Sequence, residues 1–235
     1  MKILVLDVGG THVKILATGH KTRLQFDSGP KMTAKEMVAQ VKAVTSQAGW
    51  DYDVISIGYP GAVLHDRPVM EPHNLAKGWV GFNFARALGR PVKIINDAAL
   101  QSIGSYRGGR MLFLGLGTGL GTALIVESMV EPMELAHLPY KKGRTFEDYV
   151  GLQGLERLGR KKWRKNVAEV IQLLKTATQA DYVVLGGGNA RLLKKLPPDT
   201  RLGNNDNAFR GGFRLWQDPK FASRPRQHVH SSSAA

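Results

Sequence analysis

The chain has 235 residues, 43% of them hydrophobic, so it is long enough for two modest domains or one large one. It has no cysteine, which excludes a disulfide scaffold and a cysteine-ligated metal site. No apolar run approaches the ~20 residues of a membrane span, and the N-terminus lacks the pattern of a signal peptide. We therefore expect a cytoplasmic protein with no membrane partner.

The net charge of +14 is unevenly distributed along the chain. Residues 1–140 carry 14 basic and 11 acidic side chains, whereas residues 141–235 carry 19 and 8. This excess indicates an anionic partner, either a polyanion or the phosphates of a ligand. A nucleic acid is not expected, because the chain has no recognisable nucleic-acid-binding motif.

The first fourteen residues predict a strand, a glycine turn and a second strand. An apolar run ends in Asp7, and Gly9, Gly10 and Thr11 follow, with Lys14 on the second strand. Adjacent glycines let backbone N–H groups approach phosphate oxygens, and Asp7 is placed to bind magnesium or its waters. An ordinary hairpin would have the same pattern. A second glycine turn that carries a threonine, at residues 115–121 between two further apolar runs, favours the phosphate-binding interpretation.

The other elements alternate in the manner of an α/β protein. We predict strands at 22–27, 53–57, 92–95, 111–114, 122–126 and 182–185, and helices at 33–49, 84–88, 97–106, 190–196 and 207–216, with a helix through 159–174. Thr33 and Glu36 have the spacing of a capping box. The loop at 58–63 is either a ligand-facing edge or a rigid turn.

Three side chains in the first half are candidates for a site. Asn74, in a polar irregular segment, offers a donor and an acceptor to a hydroxyl-rich ligand, whereas Trp79 in the same segment is expected to pack. Asp97 stands where a strand meets a helix, and the helix N-terminus favours its ionised form. Asp97 is therefore either a helix cap or an outward-facing functional carboxylate.

Six motifs together resemble the ROK family of sugar kinases in order and spacing, and most of all its short polyphosphate-dependent glucokinases. They are Asp7-Val8-Gly9-Gly10-Thr11 with Lys14, Tyr59-Pro60-Gly61, Asn74 with Trp79, Asn96-Asp97-Ala98, Gly117-Thr118-Gly119-Leu120-Gly121, and Gly186-Gly187-Gly188. The resemblance covers residues 2 to about 215.

The resemblance implies an actin-like (ribonuclease H-like) α/β fold of two domains with the active site in the cleft between them. Residues 1–107 would form the smaller N-terminal domain, 108–220 the larger C-terminal domain and 221–235 a disordered tail. It further implies magnesium, a polyphosphate or ATP donor, glucose as the acceptor, and a homodimer.

Individual roles also follow from the resemblance. Asp97 would be the base that deprotonates the sugar 6-hydroxyl, a task for which we expect no raised pKa. The sugar would be lined by Gly61, Asn74, Asn96, Asp97, Glu134, His137 and, through a looser match, Glu147. The donor phosphates would meet Asp7, Gly9, Gly10, Thr11, Lys14, Gly117, Thr118, Gly119, Gly187 and Gly188. Asp7 would bind Mg²⁺ directly or through water.

The chain departs from the family in two places. A Gly-Glu-x-Gly-His segment of the family reads Met133-Glu134-Leu135-Ala136-His137 here, so both glycines are replaced and the local backbone geometry is in question. The three-cysteine zinc cluster of many relatives is absent. Zinc is therefore not expected, which leaves His137 free to contact sugar.

The densest basic run is Gly159-Arg160-Lys161-Lys162-Trp163-Arg164-Lys165. On a continuous helix, Arg157, Lys161 and Lys165 would share one face. That face is either simply solvated or a track for a phosphate polymer, with Lys161 and Lys165 as donor contacts.

Two classes of function remain open. The first is a kinase that phosphorylates glucose, or another hexose such as mannose, fructose or an amino sugar. The second is a non-catalytic sugar sensor, because ROK relatives include transcriptional repressors. Those repressors carry a helix-turn-helix ahead of the first strand, whereas this sequence begins at the strand, so we expect a kinase.

Overall fold

Two five-stranded sheets of the same construction dominate the computed structural model, which describes residues 1–204 and 206–222. The first half of the chain comprises β1 (Ile3–Val8), β2 (His12–Ala17), β3 (Leu24–Asp27), α1 (Ala34–Gln47), β4 (Val54–Tyr59), β5 (Val63–Leu64), β6 (Arg67–Pro68), α2 (Phe84–Leu88), β7 (Val92–Asn96) and α3 (Asp97–Ser105). The first sheet has the order β3-β2-β1-β4-β7, an antiparallel meander extended by two parallel strands.

The second half repeats this arrangement. It comprises β8 (Arg110–Leu116), β9 (Leu120–Val126), β10 (Met129–Met133), a 3-10 helix (Leu135–His137), β11 (Pro139–Lys141), β12 (Arg144–Thr145), α4 (Phe146–Val150), α5 (Leu152–Thr178), β13 (Tyr182–Gly186), a 3-10 helix (Gly188–Leu192), β14 (Thr200–Leu202), α6 (Asn207–Gln217) and α7 (Pro219–Ala222). The second sheet has the order β10-β9-β8-β13-β14, again a meander followed by two parallel strands. The α/β prediction is confirmed.

The helices and sheets form five layers, with helices outside and between the two sheets, and three apolar cores lie among them. One core joins α1 and α2 to the outer face of the first sheet, and another joins α4 and α5 to the outer face of the second. The third lies between the sheets, where α3 and α6 are sandwiched. Within the described ranges, no helix is both long and apolar enough to cross a bilayer.

The two central helices cross at glycines. A Cβ at Gly104 of α3 would collide with the carbonyl oxygen of Asn207, and a Cβ at Gly211 of α6 would collide with that of Leu100. Glycine is therefore required at both positions for the backbones to approach. The Ser56 hydroxyl of β4 also donates to the carbonyl of Gly212, at 2.7 Å. Helix α6, from the second half of the chain, thus packs on the first sheet.

Several predicted boundaries change in the structure. The helix expected at 190–196 is the short 3-10 helix Gly188–Leu192, and the hairpin β11–β12, strand β14 and helix α4 were not predicted. Phe221 is buried in the core between the sheets, so ordered chain continues past the predicted start of the tail. The rest of that predicted tail, 223–235, lies outside the described residues.

Candidate active site between the two sheets

Two carboxylates lie near the carboxyl ends of the parallel strands of the first sheet. Asp7 on β1 is in register with Gly58 on β4, which is in register with Ile95 on β7. Asn96 ends β7 and Asp97 begins α3. The side chain of Asn96 accepts hydrogen bonds from the N–H groups of Ala98 and Ala99, at 2.9 and 3.1 Å. Asn96 is therefore the residue that caps α3.

Burial raises the pKa of Asp97 to about 7, and the negative charges of Asp7 and Glu134 act in the same direction. The N–H of Ala98, 2.8 Å from Asp97 Oδ1, opposes them. From the sequence, the helix N-terminus was expected to favour the ionised form of Asp97. Desolvation outweighs that effect here, so Asp97 titrates near neutral pH.

Asp7 is the second perturbed carboxyl group of the site. Burial raises the pKa of Asp7, while the charges of Lys14 and Arg23 oppose this effect. Lys14 is the register partner of Asp7 on β2. The predicted phosphate-contacting lysine and the predicted metal-binding carboxylate thus lie side by side.

The first glycine turn brings the predicted donor and sugar residues together. The N–H of Gly9 donates to the carbonyl of His12 at 3.0 Å, which closes the turn. A Cβ at Gly10 would lie 2.8 Å from Cβ of Asn74, so glycine lets Asn74 approach the turn. Thr11 is exposed at the tip of this turn.

Two other sugar-lining candidates of the first half, Asn96 and Gly61, are linked by a hydrogen bond. The amide Nδ2 of Asn96 donates to the carbonyl of Gly61 at 3.1 Å. Glu71 accepts hydrogen bonds from the N–H groups of Gly78, Trp79 and Val80, at 3.0 to 3.3 Å, and this shapes the segment that follows Asn74. Trp79 is fully buried, which confirms that it packs.

Glu134 comes from the second sheet, yet its charge acts on Asp97. The hydroxyl of Thr122 on β9 donates to the carbonyl of Met133 and accepts from the N–H of Leu135, which fixes the turn on both sides of Glu134. Met133 and Ala136 both have negative φ values, so the replaced glycines do not strain the backbone. His137 is exposed at the end of the following 3-10 helix.

The second glycine turn lies against the start of α3. A Cβ at Gly121 would lie 3.0 Å from Cβ of Ala98, the residue after Asp97. The turn is closed by the N–H of Gly117, which donates to the carbonyl of Gly119 at 3.1 Å. Thr118 at its tip accepts through its carbonyl from the N–H of Leu152. This turn therefore lies close to Asp97, although it is about 20 residues away along the chain.

Glu147, the last of the sugar-lining candidates, contacts the second glycine turn. Its carboxylate accepts a hydrogen bond from the N–H of Leu120 at 2.9 Å, and a Cβ at Gly119 would collide with it. Glu147 therefore braces the second glycine turn, because helix α4 places it there. The sugar contact expected of Glu147 stays a prediction.

The third glycine turn packs on the second. Gly187 has a φ of 80°, and a Cβ there would collide with the carbonyl of Leu116. Asn189 donates through Nδ2 to the carbonyl of Gly117 at 3.0 Å. Gly187 and Gly188 thus adjoin the predicted phosphate-binding residues.

The basic run does not form the continuous face that the spacing indicated. Gly159, with φ 71° and ψ 158°, breaks α5, so Arg157 does not share a face with Lys161 and Lys165. Arg157 donates to the carbonyl of Asp148, and Arg164 donates through Nε to that of Leu192 at 2.6 Å. Lys161 and Lys165 remain exposed on one face of the second part of the helix.

Sequence reasoning missed a pocket of about 570 Å³ between α3, β13, β14 and α6. Four arginines line it, and we call it the arginine pocket: Arg107, Arg191, Arg201 and Arg210. These residues come from separate segments, so no local motif could have indicated them. Its lining also includes Gly187 and Gln101, and Gln101 lies one helical turn after Asp97.

Solved structures with a similar fold include an inorganic polyphosphate/ATP-glucomannokinase from Arthrobacter sp. strain KM, at 21% identity and a TM-score of 0.76, over 89% of this chain and 96% of that one. The chain has the fold of the ROK sugar kinases. A ROK glucokinase from Streptomyces griseus, solved with glucose and AMPPNP, has 16% identity and a TM-score of 0.67, over 90% and 97% of the two chains.

The same fold occurs in a ROK transcriptional regulator, a homologue of the E. coli MLC protein, at 14% identity and a TM-score of 0.72, over 94% of this chain and 78% of the regulator. No family model and no curated protein matches the chain. The ROK fold, actin-like with two domains, confirms the predicted fold class.

Proposed function

We propose that this protein is a sugar kinase that transfers a phosphoryl group from inorganic polyphosphate or ATP to the 6-hydroxyl of glucose. The observation that carries the proposal is Asp97, a carboxyl group whose pKa is raised to about 7 by burial and by the charge of Asp7, with Gly121 of the second glycine turn against the adjacent Ala98. A base that titrates near the working pH suits proton transfer, and glycine turns suit phosphates.

In the proposed reaction, the sugar 6-oxygen forms a bond to the terminal phosphorus of the donor. The bond from that phosphorus to its bridging oxygen breaks, and the 6-hydroxyl proton passes to Asp97. Asn74, Asn96 and Glu134 hold the sugar hydroxyls, while Lys14 and the N–H groups of the glycine turns offset the phosphate charge. His137 is the proposed contact at the open side of the sugar.

Asp7 fits a magnesium ion that is bound mainly through donor phosphates and water. Among the residues that the structure describes, no cluster of three or more His, Cys, Asp or Glu side chains could hold a metal ion. Mg²⁺ typically uses one or two carboxylates together with substrate phosphates, so a single Asp7 is sufficient. When bound, the ion would neutralise negative charge on the transferred phosphoryl group.

The test is glucose-6-phosphate formation by purified protein with magnesium, with polyphosphate and with ATP in parallel reactions. Mannose, fructose and an amino sugar then establish the acceptor. Asp97→Asn should bind glucose but lose turnover by a factor on the order of a thousand. Wild-type turnover in that variant would refute the assignment of the base.

A sugar sensor is the second candidate, because the ROK transcriptional regulator shares the fold. Glucose binding without phosphorylation from either donor would favour it. In that case Asp7 and Asp97 would have no chemistry to perform.

A further inference from the structure

The arginine pocket carries an unbalanced positive charge. Its lining includes four guanidinium groups and no carboxylate. Among residues 1–204 and 206–222, Arg107, Arg191 and Arg210 make no salt bridge, and all three are exposed. Like charges in one concave site repel one another unless an anion relieves them.

Arg201 is the most buried of the four arginines. It is half-buried, its Nη2 donates to the carbonyl of Ser105 at 2.8 Å, and its guanidinium lies over the ring of Tyr182. Burial lowers the pKa of Arg201, and the charge of Arg107 lowers it further. The packed position of Arg201 is thus maintained against the charge of its neighbour.

The pocket adjoins the candidate active site, because Gly186 and Gly187 of the third glycine turn belong to its lining. Gln101 Oε1 would lie 3.0 Å from a Cβ at Gly186 in that turn. The pocket then follows α3 to Arg107, where a second cavity of about 300 Å³ shares Arg107 and Arg201. Asp199 in that cavity is paired with Lys175. The lining of the two cavities is therefore net cationic.

We propose that the arginine pocket binds the untransferred phosphates of an extended polyphosphate donor, a proposal that rests on the kinase function above. The terminal phosphate lies at the glycine turns, and the following phosphates run along α3 past Arg191, Arg210, Arg201 and Arg107. An adenosine group is neutral and would leave these arginines unbalanced. Guanidinium groups suit phosphate oxygens because they offer several donors in one plane.

The direct test is equilibrium binding of long-chain inorganic polyphosphate to the full-length protein by titration calorimetry. Arg107→Ala with Arg210→Ala is the informative double variant, since the side chains of both residues are exposed and make no hydrogen bond among the described residues. Binding should weaken about tenfold or more per arginine. The slope of log affinity against log salt should also become shallower.

Three comparisons make the result specific. Lys42→Ala with Arg86→Ala removes the same charge from exposed positions on α1 and α2 and should leave polyphosphate affinity within about twofold. Arg107→Lys with Arg210→Lys should recover part of the affinity. Lys161→Ala with Lys165→Ala tests the basic helix as the rival track.

The proposal is overturned if the Arg107/Arg210 variant binds polyphosphate as the wild type does, if the Lys161/Lys165 variant alone weakens binding, or if ATP affinity falls while polyphosphate affinity does not. The assays also separate this proposal from the kinase function. Polyphosphate binding that depends on the pocket, without any sugar phosphorylation, would leave the pocket assigned and refute the kinase. Turnover with ATP, together with polyphosphate binding that does not depend on the pocket, would support the kinase function and refute the assignment of the pocket.

Discussion

Only β4 separates the strand that carries Asp7 from the strand that leads into Asp97, and the negative charge of Asp7 raises the pKa of Asp97. Two carboxylates in one desolvated site cannot both ionise without cost. The sheet therefore influences the protonation of the proposed base through the order of its strands.

The first prediction concerns the pH dependence of activity. Because Asp97 must be deprotonated to accept the sugar proton and has a pKa of about 7, kcat/KM should rise with pH and reach half its maximum near pH 7. Asp7→Asn removes one raising charge, so its residual activity should have a lower midpoint. Glu134→Gln should shift the midpoint less, because Glu134 contributes less. Identical midpoints in all three proteins would contradict the proposed coupling.

The second prediction concerns the stability of Asp97→Asn. The pKa of Asp97 is raised in the folded state above its ordinary value of 3.8, so the folded state binds the proton more tightly than the unfolded state. The Asp97 carboxyl group should therefore lower the free energy of unfolding of the wild type. This effect should be absent below pH 4, grow as the pH rises to 7 and be constant above pH 7. Asp97→Asn should therefore be more stable than the wild type at pH 8, by on the order of 2–4 kcal/mol.

Urea unfolding at pH 5 and pH 8 would measure this difference. Asp51→Asn, at an exposed aspartate paired with Lys2 on the surface, is the control and should change stability little at either pH. An Asp97→Asn variant less stable than the wild type at pH 8 would show that burial and neighbouring charges do not make the ionised carboxylate unfavourable.

The third prediction concerns Thr122, a positioning residue for Glu134. Thr122→Val removes the hydroxyl that bonds the carbonyl of Met133 and the N–H of Leu135. The turn that carries Glu134 should loosen, and the KM for sugar should rise about tenfold with a smaller change in kcat. Thr122→Ser keeps the hydroxyl and should restore the KM. Equal KM values in the two variants would remove Thr122 from this role.

The fourth prediction concerns the crossing of α3 and α6. Alanine normally stabilises a helix relative to glycine by roughly 1 kcal/mol. Gly211→Ala should instead lower the free energy of unfolding by about 1–3 kcal/mol, because its Cβ would collide with the carbonyl of Leu100. Gly117→Ala is the matched control for stability, since its Cβ would have no neighbour within 4 Å. Unchanged urea unfolding of Gly211→Ala would contradict the close packing.

The sequence by itself determined the features that depend on neighbouring residues. Buried strands such as β1 and β4 follow from predominantly apolar segments, and α1 follows from its apolar spacing and the capping box of Thr33 and Glu36. Asp7 was located because it directly follows the apolar run Ile3 to Leu6, and Asp97 because it stands at the junction of β7 and α3. These signals are local, so no tertiary contact was needed to interpret them.

Only the tertiary structure decided the features that distant segments make together. Glu147 braces the second glycine turn because α4 folds back onto it, and α6 returns to the first sheet because glycines permit the crossing. The raised pKa of Asp97 depends on burial and on charges from both sheets, and the arginine pocket collects side chains from four segments. Desolvation and charge act through space, so spacing along the chain does not encode them.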